Sequence, residues 1–391
     1  MIPRQVDVID KADIENLVSA AVPESRTLDY KAELPGGLEQ HRMKFLASVC
    51  AFANAAGGDI VYGVTERANE SGVPDSAVGL GGIEPDAQIR RLDEMLTRGI
   101  DPRVPNVRFC VVKGFRDGPV IVLRIPGSFA SPHAVINKEW MRFYARSNTS
   151  NVILDVHQLS SAFSLSQSIS EGMIGFRHRR LAAIEAGDTP VPLRPGARLV
   201  MHLLPLSAFD PSNRADVTSL AAQHADSLNP LQSQGYNAHY NADGFLIWSP
   251  DAHGTSYTYV QVFRQGAVEA VNSYVLGAGQ GEGDIPARAL ETLLLQHLVR
   301  YLGAMQQMGV EPPIFVALAF LGVRGYSVGG GRFLRDTKLA RNEIVFPDVR
   351  IESYDGVSDL DIAMKPVFDM LWQAGGHEGS PSYVEGRHLT E

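Results

Sequence analysis

Residues 24–33 read Glu24-Ser25-Arg26-Thr27-Leu28-Asp29-Tyr30-Lys31-Ala32-Glu33. Residues 51–66 read Ala51-Phe52-Ala53-Asn54-Ala55-Ala56-Gly57-Gly58-Asp59-Ile60-Val61-Tyr62-Gly63-Val64-Thr65-Glu66. In the first run, period-two alternation puts Leu28, Tyr30 and Ala32 on one face of a strand and Asp29, Lys31 and Glu33 on the other. A polar face so placed needs a partner. Between the runs, a helix from Leu38 directs Met43, Phe45, Leu46, Val49, Cys50 and Phe52 toward a core and stops where Asn54 and Gly57-Gly58 tolerate a left-handed cap. The apolar run from Ile60 to Val64 suits a strand buried on both faces, with Glu66 emerging at its end.

Working outward, the spacing predicts helix 14–21, strand 27–33, helix 38–55, strand 60–65, helix 86–98, a hairpin of strands 107–112 and 120–125 turning at Asp117-Gly118, strand 139–146 and helix 155–164. This is an α+β pattern with helices on one face of a sheet. Residues 1–165 form the first expected domain, and 166–194 a helical connector ended by glycine and proline. Residues 195–375 form a second, α/β domain, and 376–391 a mobile tail. In the second domain His202 sits in an apolar strand and reads as a satisfied core residue, and an amphipathic helix spans 285–308.

The chain has 391 residues, 45% of them apolar and 20% charged, enough for two cores. No apolar run reaches the ~18 residues of a membrane span and no signal-peptide segment opens the chain, so the expected compartment is the cytoplasm. Cys50 and Cys110 lie in apolar segments outside any metal-ligand spacing and read as reduced core cysteines. The formal net charge of −9 excludes a phosphate-binding surface over the whole molecule. The first half nevertheless concentrates arginines. Arg90, Arg91, Arg98, Arg142 and Arg146 are candidate nucleic-acid contacts, the alternative being a solvated face paired with Asp93, Glu94 and Asp101. The run Gly277 to Gly283 has Glu282 where a dinucleotide fingerprint needs glycine, and no phosphate-loop lysine occurs. It reads as a flexible loop, and neither ATP nor NAD is expected.

The acid-x-Lys strand carries the chemistry. Carboxylates that hold a divalent cation beside a lysine are what metal-assisted phosphodiester cleavage uses. Glu24 can swing to the polar face of the strand and Glu66 can arrive from the neighbouring strand; the alternative is that these acids pair with Lys31 and arginines. The run ESRTLDYK followed by AFANAAGGDIVYGVTE, with Ser131-Pro132-His133 and Phe143-Tyr144-Ala145-Arg146 downstream, resembles the Schlafen family's AlbA-type DNA-binding domain over residues 10 to 165. Animal members carry a zinc site whose ligands have no counterpart here. By that resemblance, Glu24, Asp29 and Glu66 stand where the transfer-RNA-cleaving members have a three-carboxylate cluster, with Asp29 and Glu66 each exchanging one carboxylate for the other. The resemblance implies that Glu24, Asp29, Lys31 and Glu66 are catalytic and that Glu24, Asp29 and Glu66 bind Mg²⁺ or Mn²⁺ in an endoribonuclease acting on structured RNA such as transfer RNA. It implies equally a non-catalytic DNA-binding regulator whose C-terminal domain senses a ligand or oligomerises. Schlafen-type lobes act in pairs, so a homodimer is the expected assembly.

Overall fold

The alternating run forms only four residues of strand, β1 (Leu28–Lys31). It belongs to a computed structural model that describes the chain apart from residues 3, 5, 129, 212, 214–215, 251–253, 278–282, 330–336 and 390–391. The chain divides into two compact units, Met1–Ser168 and Ile169–Glu391.

In the first unit α1 (Lys11–Ser19) precedes β1. Then follow α2 (Glu39–Ala53), β2 (Gly57–Tyr62), β3 (Val64–Arg67), β4 (Glu70–Ala77), α3 (Pro85–Gly99), β5 (Ile100–Asp101), β6 (Arg108–Val112), β7 (Val120–Pro126), β8 (Ala134–Ile136), β9 (Met141–Ser147), β10 (Ser150–Ile153) and the start of α4 (Val156–Ala186). Instead of one sheet with helices on one face there are two four-stranded sheets, β1-β2-β7-β6 and β10-β9-β8-β5, with β3 and β4 as a separate hairpin. β1 and β2 run parallel and the other pairs of the first sheet antiparallel, so the sheet is mixed. One face packs Leu28, Tyr30, Val61 and Val122 against Ile14 of α1. The other packs Ile60, Tyr62, Ile121 and Leu123 against Phe45, Leu46, Val49 and Phe52 of α2. The second sheet also contacts α2, so residues 49–53 of this helix are buried without a polar stripe.

Gly63 interrupts the expected strand 60–65. Its φ is +94°, and its carbonyl accepts from the amides of Val78 and Gly79, each at 3.0 Å. A Cβ there would lie 3.0 Å from the Gly79 Cα. The chain therefore turns out of the first sheet, and residues 64–67 pair with β4.

The second unit contains β11 (Arg198–Pro205), α5 (Thr218–Gln223), β12 (Asn237–Tyr240), β13 (Gly244–Pro250), β14 (Ser256–Phe263), β15 (Val268–Asn272), β16 (Asp284–Ile285), α6 (Ala287–Gln307), β17 (Ile314–Leu321), β18 (Ser327–Val328), β19 (Glu343–Val345), β20 (Val349–Ile351), α7 (Leu360–Ala374), β21 (Tyr383–Val384) and β22 (Arg387–His388). Its eight-stranded sheet runs β12-β13-β14-β15-β11-β17-β19, with β20 also on β17. All its pairings are antiparallel, because hairpins rather than crossovers join β12 through β15. α6 and α7 cover one face, and Leu181 and Ile184 of α4 pack with Val200, Tyr259 and Val271 on the other.

Three expectations for this half change. The helix foreseen at 155–164 and the helical part of the connector foreseen at 166–194 are one helix, α4. Residues 188–194 are stitched into the second unit rather than linking it: Asp188 donates to Ala183 O, Ser256 to Pro192 O and Arg194 to Ser256 O. The expected tail folds back as β21 and β22 and buries His388 against Glu291, Nε2 to Oε2 at 3.1 Å. In the Gly277–Gly283 run, residues 278–282 lie outside the described residues. Among the described residues, no helix is long and apolar enough to cross a membrane.

Candidate functional site

β1 supplies Asp29 and Lys31, and the residues before it supply Glu24. Because Asp29 pairs with Ile60 in register, its side chain enters the α2 side of the first sheet, where it is 3% exposed. Burying a carboxylate requires compensating charge and hydrogen bonds. Arg146 of β9 provides them: its Nη2 donates to Asp29 Oδ1 at 2.9 Å and its Nη1 to Asn151 Oδ1 at 3.2 Å, while its guanidinium lies 4.5 Å from the Phe52 ring centroid. Lys31 Nζ stands 2.9 Å from Asp29 Oδ2 as an ion pair and donates its aligned hydrogen bond to Tyr30 O.

Glu24 Oε1 accepts from the Tyr30 amide at 2.9 Å and lies 3.6 Å from Lys31 Nζ. Burial, then the Asp29 charge, raises the proton affinity of Glu24 against the opposing Tyr30 hydrogen bond. Burial acts the same way on Asp29, but Lys31 and then Arg146 outweigh it and hold Asp29 below the ordinary aspartate range. The two neighbouring carboxyls are thus driven apart.

Glu66 does not join them as expected. The turn at Gly63 carries it onto the β3–β4 hairpin, where it is exposed and its Oε2 accepts from the Gly72 amide at 2.8 Å. Gly72 O in turn accepts from the Glu24 amide at 2.6 Å. Glu24 and Glu66 therefore meet at Gly72, the Glu24 amide on its carbonyl and the Glu66 carboxylate on its amide. Among the described residues no group of three or more His, Cys, Asp or Glu side chains could hold a metal ion. The expected carboxylate trio does not fit a divalent cation in this arrangement, because both Asp29 oxygens face cations and one oxygen of Glu24 and one of Glu66 are held by backbone amides.

The five candidate arginines separate by environment. Arg146 is 4% exposed and belongs to Asp29, so it is not a surface contact. Arg91 is tied inward, Nη2 donating to Pro35 O at 2.8 Å and Nε to Gln88 Oε1 at 2.9 Å. Arg90, Arg98 and Arg142 are exposed. Arg98 pairs with Glu94 at 2.7 Å yet leaves 73% of its side chain in solvent. Register brings Arg98 and Arg142 to one end of the second sheet. Ile100 pairs with Val135 and Val135 with Arg142, so Arg142 lies two strand spacings, about 10 Å, from a residue two places after Arg98. Lys138, in the turn between β8 and β9, is at the same end and exposed. Arg142 lies over the Trp140 ring, 4.6 Å from its centroid.

Lys138 and Trp140 were not foreseen as site residues. A sequence signal for them exists: residues 103–146 hold eight Lys and Arg against two Asp and Glu, with Trp140 inside the run.

The second unit encloses a separate polar cluster. Glu269, fully buried, accepts from Arg180 at both oxygens (2.9 Å each) and from Tyr259 Oη at 2.8 Å, with His202 Nε2 at 2.9 Å. Burial works to raise its carboxyl, but Arg180 and then His202 bring it down to about 2. All its partners are internal, so the cluster reads as a core lock between α4 and the sheet. His202 is the satisfied core residue its apolar setting implied.

Residues 24–155 match the family described as Schlafen, AlbA_2, and no curated protein matches the chain. Among solved structures, the chain is similar to the N-terminal domain of a RecG-related protein from Nitrosomonas europaea at 19% identity, over 38% of this chain and 97% of that one, with a TM-score of 0.28. It is also similar to the DIP2311 protein from Corynebacterium diphtheriae at 18% identity, over 37% of this chain and 26% of that one, with a TM-score of 0.25. TM-scores this low do not establish a shared fold.

Proposed function

From the premise that residues 24–155 form a Schlafen, AlbA_2 domain, we propose that the N-terminal unit is a nucleic-acid-binding module. The observation that carries this reading is the basic end of the second sheet, where Arg98, Lys138 and Arg142 are exposed and Arg142 lies over Trp140, in a protein whose overall charge is −9. A local cluster of exposed cations attracts phosphates where the whole surface does not. Replacing Arg98 and Arg142 together with Ala weakens binding of a labelled oligonucleotide by roughly tenfold at moderate salt and lowers the salt slope by about 2, one per lost phosphate contact. Affinity and slope both unchanged in fluorescence anisotropy would remove this surface from the reading.

A second reading, phosphodiester cleavage, rests on one observation: Glu24 and Asp29 are neighbouring carboxyls with proton affinities driven apart, beside Lys31. Its test is incubation with transfer RNA and with duplex DNA in Mg²⁺, Mn²⁺ or EDTA. Cleavage that D29N abolishes while binding persists would establish an enzyme. Intact nucleic acid under every condition leaves a binding regulator.

A further inference from the structure

Resting on the nucleic-acid reading above, we propose that Arg142, held over Trp140, is a stacking platform for an unpaired base, so that the preferred partner is single-stranded nucleic acid. Trp140 is part-buried and packs against the cluster formed by α2 and the sheets, and its carbonyl closes the β8–β9 turn by accepting from the Asn137 amide at 2.9 Å. The turn is further held to α2 through Asn137 Nδ2 and Met43 Sδ at 3.9 Å. The indole is therefore a fixed surface. Arg142 lies over it while remaining exposed. Glu139, three residues away and also exposed, does not capture it: among the described residues Arg142 forms no ion pair. A guanidinium is planar and weakly hydrated on its faces, so one backed by an aromatic ring offers a second flat face to solvent. Bases within a duplex have both faces covered by their neighbours, whereas an unpaired base presents one. Lys138 and Arg98 at the same sheet end supply the adjacent phosphate contacts.

The test compares a 20-nucleotide single strand, its duplex and an abasic strand of the same length, each binding the full chain by fluorescence anisotropy at fixed salt. The single strand binds roughly tenfold tighter than the abasic strand. R142K, which keeps the charge and loses the plane, removes most of that difference by weakening single-strand binding far more than abasic binding. W140L does the same by releasing Arg142, with thermal melting confirming that the variant is folded. Equal binding of single and abasic strands, or an R142K variant that keeps the preference, overturns the platform and leaves the nucleic-acid reading standing. Binding of none of the three, or capture only by anionic vesicles or acidic peptides, overturns both.

Discussion

Arg146 is the residue on which the first unit turns. Sequence alone makes it one of several arginines, but burial beside Asp29 changes its role from reaching outward to neutralising a charge the fold has taken out of water. Truncating it leaves Asp29 buried with Lys31 as its remaining cationic partner, so R146A destabilises the unit by about 3 kcal/mol, read as a lower urea midpoint. Adding D29N recovers part of the loss, because the orphaned charge is then gone. Since Asp29 is held below its ordinary value, its contribution is present above the unfolded value near 3.8 and is lost as pH falls below it. D29N therefore flattens the acid limb of stability against pH. Asp29 and Lys31 were legible in β1 because alternation is local. Their partner was not, since the pair joins residues separated by 117 positions, and nothing in a single sequence fixes which of several arginines a buried acid selects.

At the scale of elements, two glycines decide where Glu66 goes. Gly63 ends β2, and Gly72, at φ +77° with its Cβ position 3.3 Å from Glu24 Cβ, lets the β3–β4 hairpin come against Glu24. G72A strains both the backbone and that approach, so a loss of about 1–3 kcal/mol is expected in thermal melts, with the Glu66 and Glu24 tethers released together. The helices and most strands were legible because their apolar period is strong. The break at Gly63 was not, because the apolar run 60–64 continues through it, and only the sign of φ separates a strand glycine from a corner.

For the whole molecule, the division at Ser168 and Ile169 lies three residues beyond the expected end of the first domain at 165, and residues 169–194 of the expected connector belong to the second unit. Proline and glycine report a surface bend, and here the bend lies inside the second unit. Residues 169–391 expressed alone should unfold cooperatively, whereas 195–391 should be poorly folded, since it lacks Leu181, Ile184 and the Arg180 that neutralises Glu269; circular dichroism and solubility distinguish them. With Glu269 held at about 2 against an ordinary 4.5, stability of the second unit should be present above pH 4.5 and decline as pH falls toward 2, a trend that E269Q weakens. By the resemblance to paired Schlafen-type lobes we propose that the full chain is a homodimer, which light scattering reads directly.

The Arg180–Glu269 lock also makes α4 a ruler. A helix advances about 100° per residue, so a single residue inserted between Met173 and Arg180 swings either Met173 out of its buried position or the guanidinium away from the sheet. Length changes are consequently barred from this stretch even though Ile174, His178 and Arg179 along it are exposed: point substitutions there are tolerated, and frame-preserving insertions are not.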